Sequence, residues 1–332
     1  MIISRTPFRI SFFGGGTDYP SWYSEHGGAV LSTTIDKYCY ITCRYLPPFF
    51  EHRHRVVYSK VENVVEVAEI QHPVVRAALE FLSVPETGGL EIHHDADLPA
   101  RSGIGSSSSF TVGLLNALHA FNGCMPSSMQ LAREAIHIER DVIGESVGSQ
   151  DQVAAAFGGF NRVSFSDGEF VVEPMILGRD RLAAIQSNLM LFFTGFSRHA
   201  SKVAALQIEA TPGKASELTA MHGMVDEAIC LLSSGGIDDF GRLLHESWMI
   251  KRSLTECVST PAVDSIYERA TSAGALGGKL LGAGGGGFIL FCVPEDRQQA
   301  VREALDGLLE VDFNFDTSGS RILYYQDTGP HA

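Results

Sequence analysis

Residues 99–121, PARSGIGSSSSFTVGLLNALHAF, constrain the chain most, because a glycine- and serine-rich loop runs straight into a long amphipathic helix. Phe110, Leu114, Leu118 and Phe121 recur at helical spacing, and Asn122-Gly123 is a stop signal. Gly103 and Gly105 permit a tight backbone path close to a ligand. Ser106, Ser107, Ser108 and Ser109 then place hydroxyls and unpaired N–H groups in the first turn, an arrangement that binds anions. Two readings stay open: a phosphate loop, or a capped helix whose glycines only close a turn. A Gly-Lys-Ser/Thr ending is absent, and Ser108 stands where a dinucleotide fingerprint needs its third glycine, so a phosphate loop here has a third design.

The remaining chain is placed around this element. Residues 2–13 alternate as a strand, with Phe8, Ile10 and Phe12 on one face and Arg5, Arg9 and Ser11 on the other. That strand ends in GGGTDYP (14–20), where three glycines let a ligand approach the backbone, unless the loop is simply flexible. Residues 29–45, 56–59 and 64–67 suggest a small sheet, 73–82 a helix, and 89–95 the strand that feeds the loop. His93 and His94 adjoin on that strand and face opposite sides, and His52 and His54 fall in a loop-like, solvated run.

Residues 126–142 read as a helix in which Ala132, Ala135 and Ile136 put Glu139 on the inward side. A buried carboxylate needs compensation, so Glu139 either pairs with an arginine or holds a metal ion. Ser149 and Gln152 have capping-box spacing, which places Asp151 in the first turn of a short helix, where an aspartate is ordinarily stabilising. A composition change at 174–181 marks a domain boundary, and 332 residues suffice for two cores. Beyond it the pattern gives a strand at 189–194, helices at 201–232, 238–253, 262–273 and 295–308, and strands near 311–315 and 321–325. The run GGKLLGAGGGGFILF (277–291) reads as strand, glycine turn, strand, the turn packing closely on a ligand or on the first domain.

An acidic chain of formal charge −14 offers no basic face to nucleic acid, so any phosphate must be held by local N–H groups, metal and a few placed cations. The start has no signal core and no run has membrane-spanning length, which points to the cytoplasm. Six scattered cysteines without metal-type pairs read as reduced, mostly buried side chains.

Three glycine-rich elements now stand in one order: RTPFRISFFGGGTDYP, PARSGIGSSSS and KLLGAGGGGF. Together they span nearly the whole chain, which resembles the GHMP kinases, the superfamily of galactokinase, homoserine kinase, mevalonate kinase and phosphomevalonate kinase. Within it, IER, GSQDQVAAAFGGFN, FFTGFSR and GGKLLGAGGGGF are most similar to the D-glycero-D-manno-heptose 7-phosphate kinase branch. The resemblance implies an α+β chain with a ribosomal-protein-S5-like ATP-binding domain at 1–178, a ferredoxin-like domain at 179–332, and an active cleft between them.

It also implies ATP and magnesium (Mg2+) as cofactors and a small sugar phosphate as partner, with a homodimer left open. By position in the motifs, ATP phosphates fall on Arg101, Gly103, Ile104, Gly105, Ser106, Ser107, Ser108 and Ser109, with Ser107 and Glu139 as magnesium ligands. Asp151 matches the catalytic aspartate that orients the sugar hydroxyl and accepts its proton, and Arg9 the basic residue beside it. Where galactokinases carry Gly-Glu-His-Thr-Asp-Tyr, this chain has GGGTDY (14–19), so Gly15, Gly16, Thr17 and Asp18 are expected at the sugar, with Gly284 and Gly285 across the cleft. Arg198, Lys202, Arg101 and Lys279 are candidates for a distal phosphate, or plain surface charge. The implied reaction phosphorylates the anomeric hydroxyl of heptose 7-phosphate. The alternatives are an unphosphorylated sugar such as mannose, fucose or galactose, and a sensor without turnover.

Overall fold

A computed structural model describes residues 1–84, 88–195 and 200–326. The alternation at the start of the chain becomes β1 (Ile2–Phe13), which pairs antiparallel with β2 (Gly28–Leu46), Arg9 lying opposite Thr34. Residues 8–13 are buried on both faces, because helices of both halves pack on this strand. The sheet continues outward from β2 with β5 (Gly89–Ala96), then β3 (His54–Val57) and β4 (Val61–Val64); the β3–β5 pairing is parallel. On the other side β6 (Asn161–Ser166) pairs with β2, and β7 (Glu169–Pro174) with β6. His54 is buried at the start of β3 rather than solvated, because that loop-like run turns into the sheet.

The second sheet comprises β8 (Leu189–Phe193), β9 (Gly277–Leu280), β10 (Phe288–Cys292) and β11 (Leu309–Glu310). Its order is β11-β8-β10-β9 with antiparallel pairing throughout, the ferredoxin-like arrangement. After it the chain returns: Phe315–Asp316 pairs with β2 and Arg321–Tyr325 with β1, so the first sheet is not confined to residues 1–178. One core cluster likewise joins Phe12 and Phe13 to Phe240, Leu244 and Leu281, and a second surrounds Trp248 and Phe291.

The helices are α1 (Pro20–His26), α2 (Pro73–Phe81), α3 (Ser106–Phe121), α4 (Ser128–Ile136), α5 (Gln150–Phe157) and α6 (Arg179–Ser187) in the first part. There follow α7 (Ala200–Ala210), α8 (Ala215–Ser234), α9 (Ile237–Leu254), α10 (Pro261–Ser272) and α11 (Gln298–Ala304). The single helix expected at 201–232 is two, because Pro212 sits in a 3-10 turn at Thr211–Gly213. No helix among the described residues is long and apolar enough to cross a membrane. Cys39, Cys43 and Cys292 are buried as expected, but Cys124, Cys230 and Cys257 are exposed.

Helix α3 is central, with Ser108 to Ala120 continuously buried. Each fully buried leucine on it contributes about 1.5–3 kcal/mol. Gly113 lets it lie against β1, since a Cβ there would stand 2.7 Å from Thr6 Oγ1, and Ser4 Oγ donates to the Gly113 carbonyl at 2.7 Å. The helix therefore aims its N-terminus at a fixed point beside β1. Helix α4 ends earlier than expected and passes into a π-helical stretch, His137–Val142, which carries Glu139. Such wide turns re-aim side chains and recur at functional sites.

Candidate active site

The glycine loop before α3 is clamped between the two halves. Gly105, at φ 74°, is the residue that enters the helix, and Gly103, at φ 84°, lies against the glycine turn of the second half. A Cβ on Gly103 would stand 2.3 Å from Leu281 O, and one on Gly287 would stand 2.3 Å from Ser102 O. The Phe288 N–H donates to the Ser102 carbonyl at 2.9 Å. This accounts for the many glycines at 282–287: the turn packs on the first half.

Arg9 reaches under that loop from β1. It is 3% exposed, and its Nη1 donates to Gly103 O at 2.6 Å. Its Nε and Nη2 donate to Asp151 Oδ1 and Oδ2 at 2.7 and 2.8 Å, a fork that fixes the plane of the carboxylate. The Asp151 side chain keeps 26% exposure, so it is held yet open to the cleft. The capping box expected at the start of α5 does not form. Ser149 Oγ instead meets Tyr23 OH at 3.2 Å, and the Gln152 side chain turns to Glu139.

The turn after β1 serves Asp18, which is 2% exposed. Its Oδ1 accepts from the Gly16 N–H at 2.9 Å and its Oδ2 from the Gln150 N–H at 3.3 Å. Burial pushes its carboxyl above the usual range, the two N–H groups oppose this, and nearby Asp151 adds to it. The Gly16 N–H, expected to be offered to a sugar, is thus already engaged by Asp18. Thr17 is fully buried and closes the turn, donating to Gly14 O and Ala29 O at 2.8 and 2.9 Å, which removes it from ligand contact.

Two lysines enter from the second half. Lys251 on α9 is 5% exposed and donates to Gly282 O at 2.7 Å. Burial lowers its ammonium to about 8, against the pull of Asp18 and Asp151 and with the push of Arg9. Lys279 on β9 is 2% exposed and donates to Phe12 O at 2.9 Å; burial, with Lys251 and Arg9 beside it, holds it well below the usual lysine range. Lys279 is a buried strut rather than a ligand for a distal phosphate.

Glu139 is fully buried, as its helical position requires, but no arginine meets it. Its partners are neutral donors: Ser108 Oγ at 2.9 Å, and Thr111 Oγ1 and Gln152 Nε2 both at 2.5 Å. Burial raises it to about 7 despite those three bonds. Ser107, expected to share a metal with Glu139, is exposed, and the adjoining Ser108 makes the contact.

Residues 71–159 match the GHMP kinases N terminal domain, and residues 227–310 the GHMP kinases C terminal domain. The chain is 30% identical to the D-glycero-alpha-D-manno-heptose 7-phosphate kinase of Campylobacter jejuni, over 96% of this chain and 97% of the other. The chain belongs to the GHMP kinase family. The crystal structure of a D-glycero-D-manno-heptose 1-phosphate kinase from Bacteriodes thetaiotaomicron superposes with a TM-score of 0.78 at 25% identity, covering 98% of this chain and all of that one. The galactokinase of Pyrococcus furiosus is 26% identical over 92% of both chains.

As a GHMP kinase the protein is an ATP-dependent phosphotransferase, and the cleft gathers Arg9, Asp18, Asp151 and the glycine loop as its sequence motifs imply. Other expected residues lie elsewhere. Arg198 falls outside the described residues, and Lys202 is exposed on α7. The Gly285 N–H donates to Val258 O at 3.0 Å, and a Cβ on Gly284 would stand 2.6 Å from that oxygen, so both glycines support the turn's own packing. Arg101, at φ 60°, is exposed at the loop, where its N–H donates to Ser106 Oγ at 3.1 Å. Lys251 was missed, although a lysine in line with Leu244 and Trp248 on the apolar face of α9 was visible in the sequence.

Proposed function

We propose that this kinase transfers the γ-phosphoryl group of ATP to the anomeric hydroxyl of D-glycero-D-manno-heptose 7-phosphate, giving the 1,7-bisphosphate and ADP. The observation that carries the reading is the Arg9–Asp151 fork, open to a cleft between the glycine loop and the GGGTDY turn. Similarity to a heptose 7-phosphate kinase along nearly the whole chain supports this acceptor. Asp151 orients the anomeric hydroxyl and takes its proton as the new P–O bond forms and the bond to the β-phosphate breaks. Arg9 fixes Asp151 and offsets charge in the loose transition state. The first-turn N–H groups of α3, at Ser106, Ser107 and Ser108, receive phosphate oxygens. Asp18 accepts from a sugar hydroxyl.

Magnesium suits the oxygen-only donors beside the loop. Glu139 is a buried carboxylate without a cation, and Gln152 Oε1 is buried without a hydrogen-bond partner. With Ser107, these residues would hold the ion, which when bound neutralises triphosphate charge. Residues 1–178 and 179–332 form the two walls of the cleft in this reading, and the sequence from 315 onward ties them together.

The test is ATP turnover with heptose 7-phosphate, mannose, fucose and galactose, the products identified by phosphorus NMR. Formation of the 1,7-bisphosphate from the heptose phosphate alone is expected. Faster turnover of a free hexose overturns the acceptor, and no turnover with any sugar overturns the enzyme reading. A sharper check uses Gly148, whose φ is unstrained but whose Cβ would fall 1.9 Å from Asp18 Oδ2. Gly148→Ala displaces that carboxylate and raises the acceptor KM about thirtyfold, with the ATP KM within about threefold of wild type.

A further inference from the structure

Beside Asp18 the backbone leaves a gap the size of a single polar atom. Gly15 contributes no side chain there. At the point where its Cβ would stand, three polar groups converge: Gln150 Nε2 at 3.6 Å, Ser11 Oγ at 3.7 Å and Lys251 Nζ at 3.8 Å. They come from three separate elements: β1, α5 and α9.

All three carry unused hydrogen-bonding capacity. Ser11 is 5% exposed, and its Oγ is buried without a partner. Gln150 Oε1 is also buried and unpaired. Lys251 Nζ has three hydrogens and is bonded to Gly282 O. An unpaired buried hydroxyl or amide costs about 1–3 kcal/mol, so such groups point to something that completes them. Apolar burial does not explain them, since a methyl group at Gly15 would fill the gap at ordinary contact distances.

We propose that Ser11, Gln150 and Lys251 form a subsite, opened by Gly15, which binds one hydroxyl oxygen of the acceptor sugar. The inference rests on the sugar-kinase reading above and adds the residues that discriminate the acceptor. A hydroxyl fits this set because it accepts from the lysine and the amide while still exchanging a hydrogen bond with Ser11 Oγ. The gap adjoins Asp18 rather than the first turn of α3, which places it on the acceptor's side of the cleft. Lys251 thereby brings the second half of the chain into contact with the acceptor, and the sugar is held across both halves.

The test separates binding from stability. Ser11→Ala removes a hydroxyl that makes no bond in the protein, and Gly15→Ala adds a methyl group where nothing clashes, so neither lowers the melting temperature. Both, and Lys251→Met, are expected to raise the KM for heptose 7-phosphate about tenfold or more while the ATP KM stays within about threefold. One monodeoxy analogue of the acceptor should bind wild type as weakly as it binds Ser11→Ala. The proposal is overturned if Ser11→Ala and Gly15→Ala leave the acceptor KM unchanged, which would make the gap a site for water. It is equally overturned if they raise the ATP KM instead, which would make it a site for a phosphoryl oxygen. Should wild type phosphorylate a different sugar of the panel, the heptose assignment fails while the same readout, taken on that sugar, still decides the subsite. If no sugar is phosphorylated, the kinase reading falls and the subsite with it.

Discussion

Replacing Asp151 with alanine is expected to lower kcat about a thousandfold while the ATP KM stays within about threefold. The carboxylate touches neither the glycine loop nor the first turn of α3, so the nucleotide should lose no contact with it. What is lost is the group that aims the acceptor oxygen and takes its proton. Arg9 gives a second measurement on the same pair. Its guanidinium binds both carboxylate oxygens and the Gly103 carbonyl, so Arg9→Met leaves Asp151 unaimed and the loop carbonyl unpaired. Lysine does not restore the fork, because a point donor cannot bind both oxygens in one plane. Since the two side chains act as a unit, the double variant should be hardly slower than the worse single variant, a strongly non-additive cycle. Retention of more than a tenth of wild-type kcat by Asp151→Ala would remove Asp151 from the chemistry, and additive losses would mean that the fork has no catalytic meaning.

The parts of this site that were legible in the sequence are those fixed by local pattern. The spacing of Phe110, Leu114, Leu118 and Phe121 located α3, and the alternation of residues 2–13 put Arg9 on a definite strand face. The inward direction of Glu139 followed from the apolar positions of its helix, and it is fully buried. What sequence spacing could not reveal depends on long-range contact. Thr17 and Asp18 are adjacent in one glycine turn, yet one closes the turn and the other faces the cleft, because Gly148 leaves room for the second carboxylate alone. Ser149 and Gln152 had capping spacing, but tertiary partners, Tyr23 and Glu139, take both side chains. Lys279 and Lys251 are both buried lysines of the second half. One is occupied by Phe12 O, while the other borders the gap at Gly15, and no local signal separates them. The return of residues 315–325 to the first sheet was equally invisible, since strand propensity does not name a partner.

Gly103→Ala should destabilise the protein by about 3 kcal/mol and lower its melting temperature by about 6 °C or more. Two costs add at this position. The left-handed φ of 84° strains any side chain, and the new Cβ would lie 2.3 Å from Leu281 O and 2.8 Å from Leu281 C, both backbone atoms that cannot rotate away. Gly123 separates the two. Its φ of 72° is similar, but nothing lies within 4 Å of its Cβ, so Gly123→Ala carries the backbone strain alone, about 1 kcal/mol. The difference between the variants therefore reports the contact between the glycine loop and the glycine turn. The turn is anchored by the Leu281 N–H on Phe288 O at 2.8 Å and by Lys251 on Gly282 O, so the loop is the part that must move. Moving it pulls Gly103 O from Arg9 and disturbs the fork on Asp151, so the ATP KM should rise about tenfold and kcat fall with it in Gly103→Ala. Gly123→Ala should keep both constants. Equal stability losses in the two variants, with unchanged kinetics, would show that the loop does not depend on the second half for its position.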